Sequence, residues 1–319
     1  MLAVMSVGCR GAPSKVVSSS PRVAKPFLVV KERRRVPNVV AQAPSSSRLW
    51  LIRQRQGTRR DELDSLSVQA DLRVVSRESI GSGAQALVYA FGSVWVAGAS
   101  DSGAAPIRLS GTLRRINPVN GSLQFRLRMP PVSAITATSL GVWVATGSKL
   151  RRIDPRGRTT AILKLPPRVI VRLATTPAGP AVAITTSTGH SAVWLVSDKT
   201  LHIRRSKQIA DRIYAIAYGG SRVWLTLSSR VIQLRLPDVS TAASSLDSYA
   251  PGMIAPISSS SAFIANNARD IVLLRATDSR LRTSATKPIG GRIDTLLSAA
   301  GTLFAYDTIA YRMTLLGKP

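Results

Sequence analysis

The 319 residues could fill two average domains or one large all-β domain, and a 45% hydrophobic content is sufficient for a core. Only 19% of residues are charged, but 44 Lys and Arg face 16 Asp and Glu, so the net charge is +28. The single cysteine, Cys9, excludes an intrachain disulfide and a cysteine-based metal site, and no run of about 18 apolar residues predicts a transmembrane segment.

The positive charge is concentrated at the N-terminus. Residues 1–60 contain thirteen basic residues and one acid, Glu32. We interpret residues 1–70 as a basic segment of low order, either a degenerate signal or the product of a misassigned start. The arginines and Ala-x-Ala of "RRRVPNVVAQAP" (33–44) resemble an export signal, but the apolar part is too short. Residues 10–60 could attach non-specifically to nucleic acid or an anionic surface, or could be a solvated tail.

An internal repeat organises the rest of the chain. "GSVWVAG" around Trp95 returns as "LGVWVAT" around Trp143, and further copies are centred on Ala183, Trp224, Phe263 and Phe304. The spacings are 48, 40, 41, 39 and 41 residues. A period of about 40 residues with an aromatic residue in a β-branched run is typical of the four-stranded blade of a β-propeller.

Six copies of the aromatic strand predict a six-bladed propeller over residues 71–319. The last copy has room for three strands only, and "DLRVVSRESI" (71–80) precedes the first copy. We therefore expect this segment to be a latch strand that completes the sixth blade and closes the ring. The fold class predicted is all-β.

The first copy carries an insertion. Trp95 and Leu113 are 18 residues apart, whereas Trp143 and Leu150 are 7 apart. The eleven extra residues lie within 98–111 and include Arg108. This loop connects second and third strands, on the face where blade-to-blade loops commonly surround a ligand entrance, so it is either a binding loop or a tolerated insertion.

Two consecutive copies share an Arg-Arg motif, "LRRINP" at 113–118 and "LRRIDP" at 150–155. Asn117 and Asp154 are expected to cap the turn after the third strand, and Gly121 and Gly157 to take its left-handed position. Alternation along the strand places at least one arginine of each copy against a neighbouring blade. The motif is therefore predicted to be structural, because later copies lack the arginines.

The first strand of each blade should line the central channel. The residues expected there are Gln85, Ser133, Val171, Tyr214, Met253 and Asp294, with Arg172, Arg212 and Arg292 nearby. This mixture is moderately polar and slightly basic. It would suit a small anionic ligand or a peptide, and equally a water-filled channel.

"GxVWVA" followed by "LRRIDP" resembles the repeats of the YncE-like, YVTN-type and streptogramin-lyase-like propellers of bacterial secreted and envelope proteins. The resemblance covers about residues 72–319. It implies a propeller fold and an extracytoplasmic or cell-envelope location, while the members of these families include lyases, cofactor-binding modules and interaction platforms.

The function favoured by the sequence is a non-catalytic binding or scaffold protein, acting as a monomer, whose loop face binds a protein or small molecule without a cofactor or metal. One alternative is a lyase-like enzyme at the channel mouth, for which His190 in "TSTGHSAVW" is the candidate catalytic residue. The resemblance implies a histidine and an acid around a metal in such enzymes, and the chain has only two histidines. The other alternative is attachment to nucleic acid or an anionic surface through residues 10–60.

Overall fold

The computed structural model describes residues 28–54, 60–68, 72–81, 83–99, 111–245, 253–266, 269–299 and 302–317. Their regular structure consists of strands β1 to β28, in chain order, and no helix. The strands form five four-stranded sheets and one eight-stranded sheet. The eight-stranded sheet contains two antiparallel four-stranded runs joined by a short parallel pairing of Ser244 and Ser245 with Arg280 and Leu281. The described residues thus contain seven four-stranded units.

The strands have four positions within a unit. Units 1 to 6 follow chain order, and unit 7 combines the last three strands with β1. The first strands are β2 (Val39–Pro44), β6 (Ala84–Ala90), β10 (Val132–Thr138), β14 (Ile170–Thr176), β18 (Ala215–Gly219), β22 (Ile254–Pro256) and β26 (Thr295–Ala299). The second strands are β3 (Arg48–Gln54), β7 (Ser93–Ala99), β11 (Gly141–Thr146), β15 (Gly179–Thr185), β19 (Arg222–Thr226), β23 (Ser261–Asn266) and β27 (Thr302–Asp307).

The two outer positions complete each unit. The third strands are β4 (Asp61–Ser67), β8 (Gly111–Ile116), β12 (Lys149–Ile153), β16 (Ser191–Val196), β20 (Val231–Arg235), β24 (Asp270–Thr277) and β28 (Arg312–Gly317). The outermost strands are β5 (Val74–Gly81), β9 (Leu123–Met129), β13 (Thr159–Lys164), β17 (Ile203–Ile209), β21 (Thr241–Ser245), β25 (Arg280–Pro288) and β1 (Val29–Arg35).

The units are arranged in a closed ring. The first strand of each unit contacts that of the next, and β26 contacts β2. Seven clusters of buried apolar side chains in the described residues each lie between two consecutive units, including unit 7 with unit 1. Trp95, Trp143, Trp224 and Phe304 on second strands are fully buried in this core. A ring of four-stranded antiparallel sheets is a β-propeller.

The predicted count of six blades is not confirmed, because the repeat pattern overlooked unit 1. The segment 71–80, expected to be the latch, contains β5, which pairs with β4 as the outermost strand of that unit. The strand that joins the chain's two ends is β1, which pairs with β28. Strands β1 to β4 also lie within residues 1–70, where the sequence predicted low order. Residues 1–27 lie outside the described part of the chain.

Unit 1 was overlooked because its charged residues are internal. Trp50 on β3 occupies the aromatic position, but β4 reads "DELDSLS" and resembles a solvated segment. In the structure Asp64 is 1% exposed and lies between Arg53 Nε at 2.7 Å and Arg77 Nε at 3.0 Å. Asp61 accepts a hydrogen bond from the Ala84 amide of unit 2 at 2.7 Å. Buried carboxylates with such partners are compatible with a blade interior.

Ring closure rests on β1 and on a tyrosine. The pairing of β1 with β28 extends from Val29 with Gly317 to Arg35 with Arg312. Tyr306 on β27 is 1% exposed. Its hydroxyl donates to the Val36 carbonyl at 2.8 Å and accepts from the Val39 amide at 3.2 Å. Burial raises the pKa of Tyr306. This hydroxyl therefore ties unit 7 to the linker between β1 and unit 1.

The hairpins of the Arg-Arg motif have the predicted turn chemistry. Asn117 Oδ1 accepts from the Val119 amide at 2.8 Å, and Asp154 Oδ1 accepts from the Arg156 amide at 2.9 Å. Gly121 has a φ of 67°. Hydrogen bonds from Arg158, first from its amide and then from its side chain, lower the pKa of Asp154 against the opposing effect of burial. The turn prediction is confirmed.

Each arginine of the motif that faces a tryptophan also binds the next unit. Arg115 pairs across the sheet with Trp95, its guanidinium lies 5.7 Å from the ring centroid, and it donates to the Pro155 carbonyl of unit 3 at 2.6 Å. Arg152 pairs in the same way with Trp143, at 5.9 Å, and donates to the Asp198 carbonyl of unit 4. The prediction that the arginines lie against neighbouring blades is confirmed.

Unit 5 has a neutral version of this contact. Gln233 pairs with Trp224, and its Nε2 donates to the Ser259 carbonyl of unit 6 at 2.7 Å. We call this arrangement the inter-unit clasp: a polar side chain opposite the buried tryptophan that bonds a turn of the following unit. Three units have it, so the clasp depends on position in the sheet and does not require an arginine.

Truncation tests the revised start of the propeller. We expect a chain of residues 28–319 to unfold cooperatively, because all seven units lie within residues 28–317. A chain of residues 71–319 should not, because it lacks β1 to β4 and leaves the end faces of units 2 and 7 uncovered. Urea unfolding followed by tryptophan fluorescence measures both. Cooperative unfolding of the shorter chain would contradict the ring described here.

Substitution of Arg152 tests the clasp. Arg152→Ala should lower the free energy of unfolding by about 1.5–3 kcal/mol, because a half-buried charge-assisted hydrogen bond is lost and Asp198 keeps only neutral partners. Arg151→Ala is the matched control, since within the described part of the chain the Arg151 side chain has only a 3.4 Å hydrogen bond, to Thr146 Oγ1. Equal losses in the two variants, measured by urea unfolding, would show that Arg152 is not a clasp.

Candidate functional site

The antiparallel order defines two ends of the propeller. Connections between second and third strands emerge at the same end as connections from one unit to the next, because strand direction alternates along a unit. We call this end A. The turns Gly147–Ser148 and Thr186–His190 lie there, and so do the starts of the first strands. Among the described residues, the exposed cations in the connections at this end are Arg60, Arg168, Arg212, Arg230, Arg269 and Arg292.

A central cavity of about 660 Å³ lies between the first strands. Its lining includes residues of all seven units and Thr308 from the turn between β27 and β28. Because Asp294 and Thr308 belong to connections at end A, the cavity lies toward that end. The volume falls within the range of small-molecule sites, about 300–1,000 Å³.

All six residues predicted to line the channel do line this cavity: Gln85, Ser133, Val171, Tyr214, Met253 and Asp294. Local irregularities help to present some of them. The pairing register of β6 skips between Ala84 and Ala86, and that of β10 skips between Val132 and Ala134. Gln85 and Ser133 are therefore the extra residues of β-bulges, which turn a side chain away from its regular direction.

Two arginines and a tyrosine form the most distinctive group. Arg172 on β14 lines the cavity and is half-buried, and Tyr214 lines it just before β18. Arg212 precedes Tyr214, and its guanidinium carbon lies 5.3 Å from the tyrosine ring centroid. Burial, and then the nearby charge of Arg212, lower the pKa of Arg172, while Tyr214 acts in the opposite direction. Neither guanidinium has a carboxylate partner among the described residues.

Asp294 is the carboxylate of the cavity lining, and its oxygens are engaged. Thr308 donates to Oδ2 from its amide at 2.8 Å and from its hydroxyl at 2.6 Å, and Arg292 Nε donates to Oδ1 at 2.5 Å. Burial alone would raise the pKa of Asp294. The hydrogen bonds from Thr308 and then Arg292 outweigh it, so the pKa lies below its ordinary value. This carboxylate does not neutralise Arg172.

Sequence analysis did not identify Gln42 as a cavity residue. It lies on β2 of the overlooked unit 1, and both heteroatoms of its amide are buried without a hydrogen-bond partner. Thr308 was not identified either, because it reaches the cavity from a turn and not from a first strand. The aromatic strand around Trp50 could have led to Gln42. The segment "VVAQAP" (39–44) precedes that strand by a short turn and pairs with it as the first strand of the unit.

The remaining predicted site residues are not brought to the cavity. His190 is exposed in the turn between β15 and β16, and its imidazole has no described hydrogen-bond or ion-pair partner. His202 is exposed in the turn before β17. Arg108 and most of the insertion lie outside the described residues. Among those that are described, no three His, Cys, Asp or Glu side chains are grouped so as to hold a metal.

Comparison with known proteins identifies the fold. No family model and no curated protein matches the chain. Among solved structures, it is similar to Kuenenia stuttgartiensis hydrazine synthase, with a TM-score of 0.66 and 11% identity over 88% of this chain and 95% of that one. The Neurospora crassa Pan2 WD40 domain has a TM-score of 0.68 and 14% identity, over 92% of this chain and 95% of that one.

A third similar structure is the Myceliophteria thermophila Cps50 (Swd1) β-propeller domain. It has a TM-score of 0.68 and 11% identity, over 92% of this chain and 100% of that one. The chain is a β-propeller. At these identities the similarity concerns the fold alone, and membership of the YncE-like, YVTN-type or streptogramin-lyase-like families is not shown. Within the described residues, no helix has the length and apolar character of a membrane span.

Asp294 gives a prediction for pH dependence. Because the folded-state pKa is lowered, the carboxylate stabilises the fold above its unfolded pKa of about 4, and this contribution is lost as pH falls through the folded value. Asp294→Asn should therefore lower Tm at about pH 7, with a difference from the unsubstituted chain that shrinks below about pH 4.

The control for this experiment is Asp278→Asn, in the exposed turn between β24 and β25. We expect it to leave Tm unchanged across the same range of pH. A difference for Asp294→Asn that stays constant on acidification would mean that its effect does not come from the ionised carboxylate.

Proposed function

We propose that this propeller is a non-catalytic binding protein whose central cavity, at end A, binds the anionic group of a small molecule or peptide. The observation that carries the proposal is the cluster of Arg172, Arg212 and Tyr214. Arg172 is near enough to Arg212 to be affected by its charge, Arg212 packs on the Tyr214 ring, and the described residues supply neither arginine with a carboxylate.

The cost of burying Arg172 supports this proposal. A half-buried guanidinium next to a second cation loses solvation and is repelled, as its lowered pKa indicates. Two structural arginines of this chain, Arg53 and Arg152, avoid that cost, since both have carboxylate partners. A carboxylate or phosphate in the cavity would relieve both effects through charge-assisted hydrogen bonds.

Neutral groups of the lining would complete the site. Both heteroatoms of the Gln42 amide are buried without internal partners, so a rotation of this side chain toward the cavity would supply a donor and an acceptor. Gln85 is exposed at the cavity, while the Ser133 hydroxyl donates to the Ala145 carbonyl at 3.3 Å and keeps capacity to accept. Binding sites commonly combine a largely apolar wall with a few such polar groups.

The propeller fold shared with the structural neighbours is compatible with a binding role, since one fold hosts many functions and the site decides among them. A lyase-like activity through His190 is the weaker proposal, since that imidazole stands alone among the described residues. Attachment to nucleic acid through residues 10–60 needs restating, because residues 28–54 of that range belong to the propeller.

Ligand titration tests the cavity. Inorganic phosphate, citrate, glutamate and a short acidic peptide would be titrated into the full chain by calorimetry, with Tm measured in parallel. An anion at about 100 times its Kd should stabilise the fold by about 2.7 kcal/mol. Arg172→Gln should weaken binding of that anion by about tenfold or more, because a buried charge-assisted bond is lost.

The matched control is Arg168→Gln. It removes the same charge from end A, but Arg168 does not line the cavity and is exposed. We expect the Kd of the Arg168→Gln variant for the anion to stay within about twofold of that of the unsubstituted chain, because an exposed charge contributes little. The proposal is wrong if none of the four anions binds, or if the two substitutions weaken binding equally.

A further inference from the structure

The outermost strands carry most of the net positive charge of the sheets. The seven strands β1, β5, β9, β13, β17, β21 and β25 contain fourteen Lys and Arg and two acids, Glu32 and Glu78. The seven first strands contain one basic residue, Arg172, and no acid. We call the set of outermost strands the rim. Its charge is positive almost without exception.

Strand β17 is the clearest part of the rim. Arg204 and Arg205 are exposed and Lys207 is half-buried, within the sequence "IRRSKQI". None of the three has a carboxylate within ion-pair distance among the described residues. The outer edge of β17 pairs with no other strand in the described sheets. These cations are therefore available to a partner.

Edge protection explains only part of this pattern. Charged residues on an open edge prevent it from pairing with another chain, and β21, whose edge is covered by β25, has no charged residue. Lysine and glutamate are the charged residues that commonly protect an edge, whereas ten of the fourteen cations on the rim are arginines. Protection therefore accounts for the presence of charge on the rim, but it does not account for a ratio of fourteen to two.

We infer that the rim, and β17 in particular, binds nucleic acid through the phosphate backbone. A flexible chain of phosphates can follow a curved row of cations. Each contact between a cation and a phosphate releases a counterion, which favours binding. A flat lipid surface fits less well, because rim strands of different units face different directions around the ring. The only aromatic residue on the rim is the half-buried Phe125, so base stacking and sequence preference are not expected.

This inference concerns a different surface from the cavity and does not rest on the function proposed for it. It also replaces the idea of a tail confined to residues 10–60. Of that range, β1 contributes to the rim, with Lys31, Arg33 and Arg35 exposed on the outermost strand of unit 7. The rim extends the basic surface to units whose sequences lie far outside that range.

The test uses the full chain and a fluorescein-labelled oligothymidylate of about 30 nucleotides, with anisotropy measured over a series of salt concentrations. The triple variant R204Q/R205Q/K207Q should bind about tenfold more weakly at about 0.1 M salt. Because each phosphate contact on a single strand contributes about 0.7 to the slope of log K against log salt, three lost contacts should reduce the slope by about 2.

Two further variants make the result specific. R168Q/R230Q/R269Q removes the same charge from exposed positions of end A and should change Kd by less than about threefold, because only long-range attraction is lost. R204K/R205K keeps the charges and should retain binding, because a phosphate accepts an ammonium as well as a guanidinium. Circular dichroism and size-exclusion chromatography verify that all variants are folded and unaggregated.

Several outcomes would overturn the inference. Equal weakening by the two triple variants would show that net charge alone controls binding, and a larger effect of the end A variant would place the site at that end. Unchanged binding by R204Q/R205Q/K207Q would exclude β17. Binding to phosphatidylserine vesicles that depends on β17, with no binding to the oligonucleotide, would identify a lipid surface as the partner.

Discussion

Ring closure is the constraint on which the rest of this structure depends. A propeller unit buries apolar surface on both faces, so every unit needs two neighbours, and a chain with free ends would leave two faces in water. Here β1 pairs with β28, and Tyr306 bonds both Val36 and Val39. The first and last strands of the ring thus share one sheet. The cavity, end A and the rim exist only because the ring is closed.

The repeated core of the fold could be predicted from the sequence because it obeys a simple rule. Aromatic and β-branched residues at a spacing of about 40 identified second strands, and all six of the proposed copies are second strands in the structure. Channel residues could be predicted for the same reason. First strands have a fixed place before second strands, so Gln85, Ser133 and Tyr214 could be located by counting.

Unit 1 could not be recognised from composition because its polar residues compensate one another in three dimensions. Asp64 is paired with Arg53 and Arg77 from the strands on either side of its own. In one dimension the same residues give the appearance of a charged, solvated stretch. The latch was misplaced for a related reason: β5 and β1 are both short strands that begin with two valines and contain charged residues, and only the pairing partner distinguishes them.

The arginines of this chain divide into three groups by their surroundings. Arg115 and Arg152 lie against tryptophans and join consecutive units, so their charge is compensated inside the protein. Arg172 is half-buried in the cavity without such compensation, and Arg204 is exposed on the rim. A net charge of +28 therefore does not describe one surface. The arginines that drew attention by repetition stabilise the ring, whereas the arginines available for binding occur in strands that show no repeated motif.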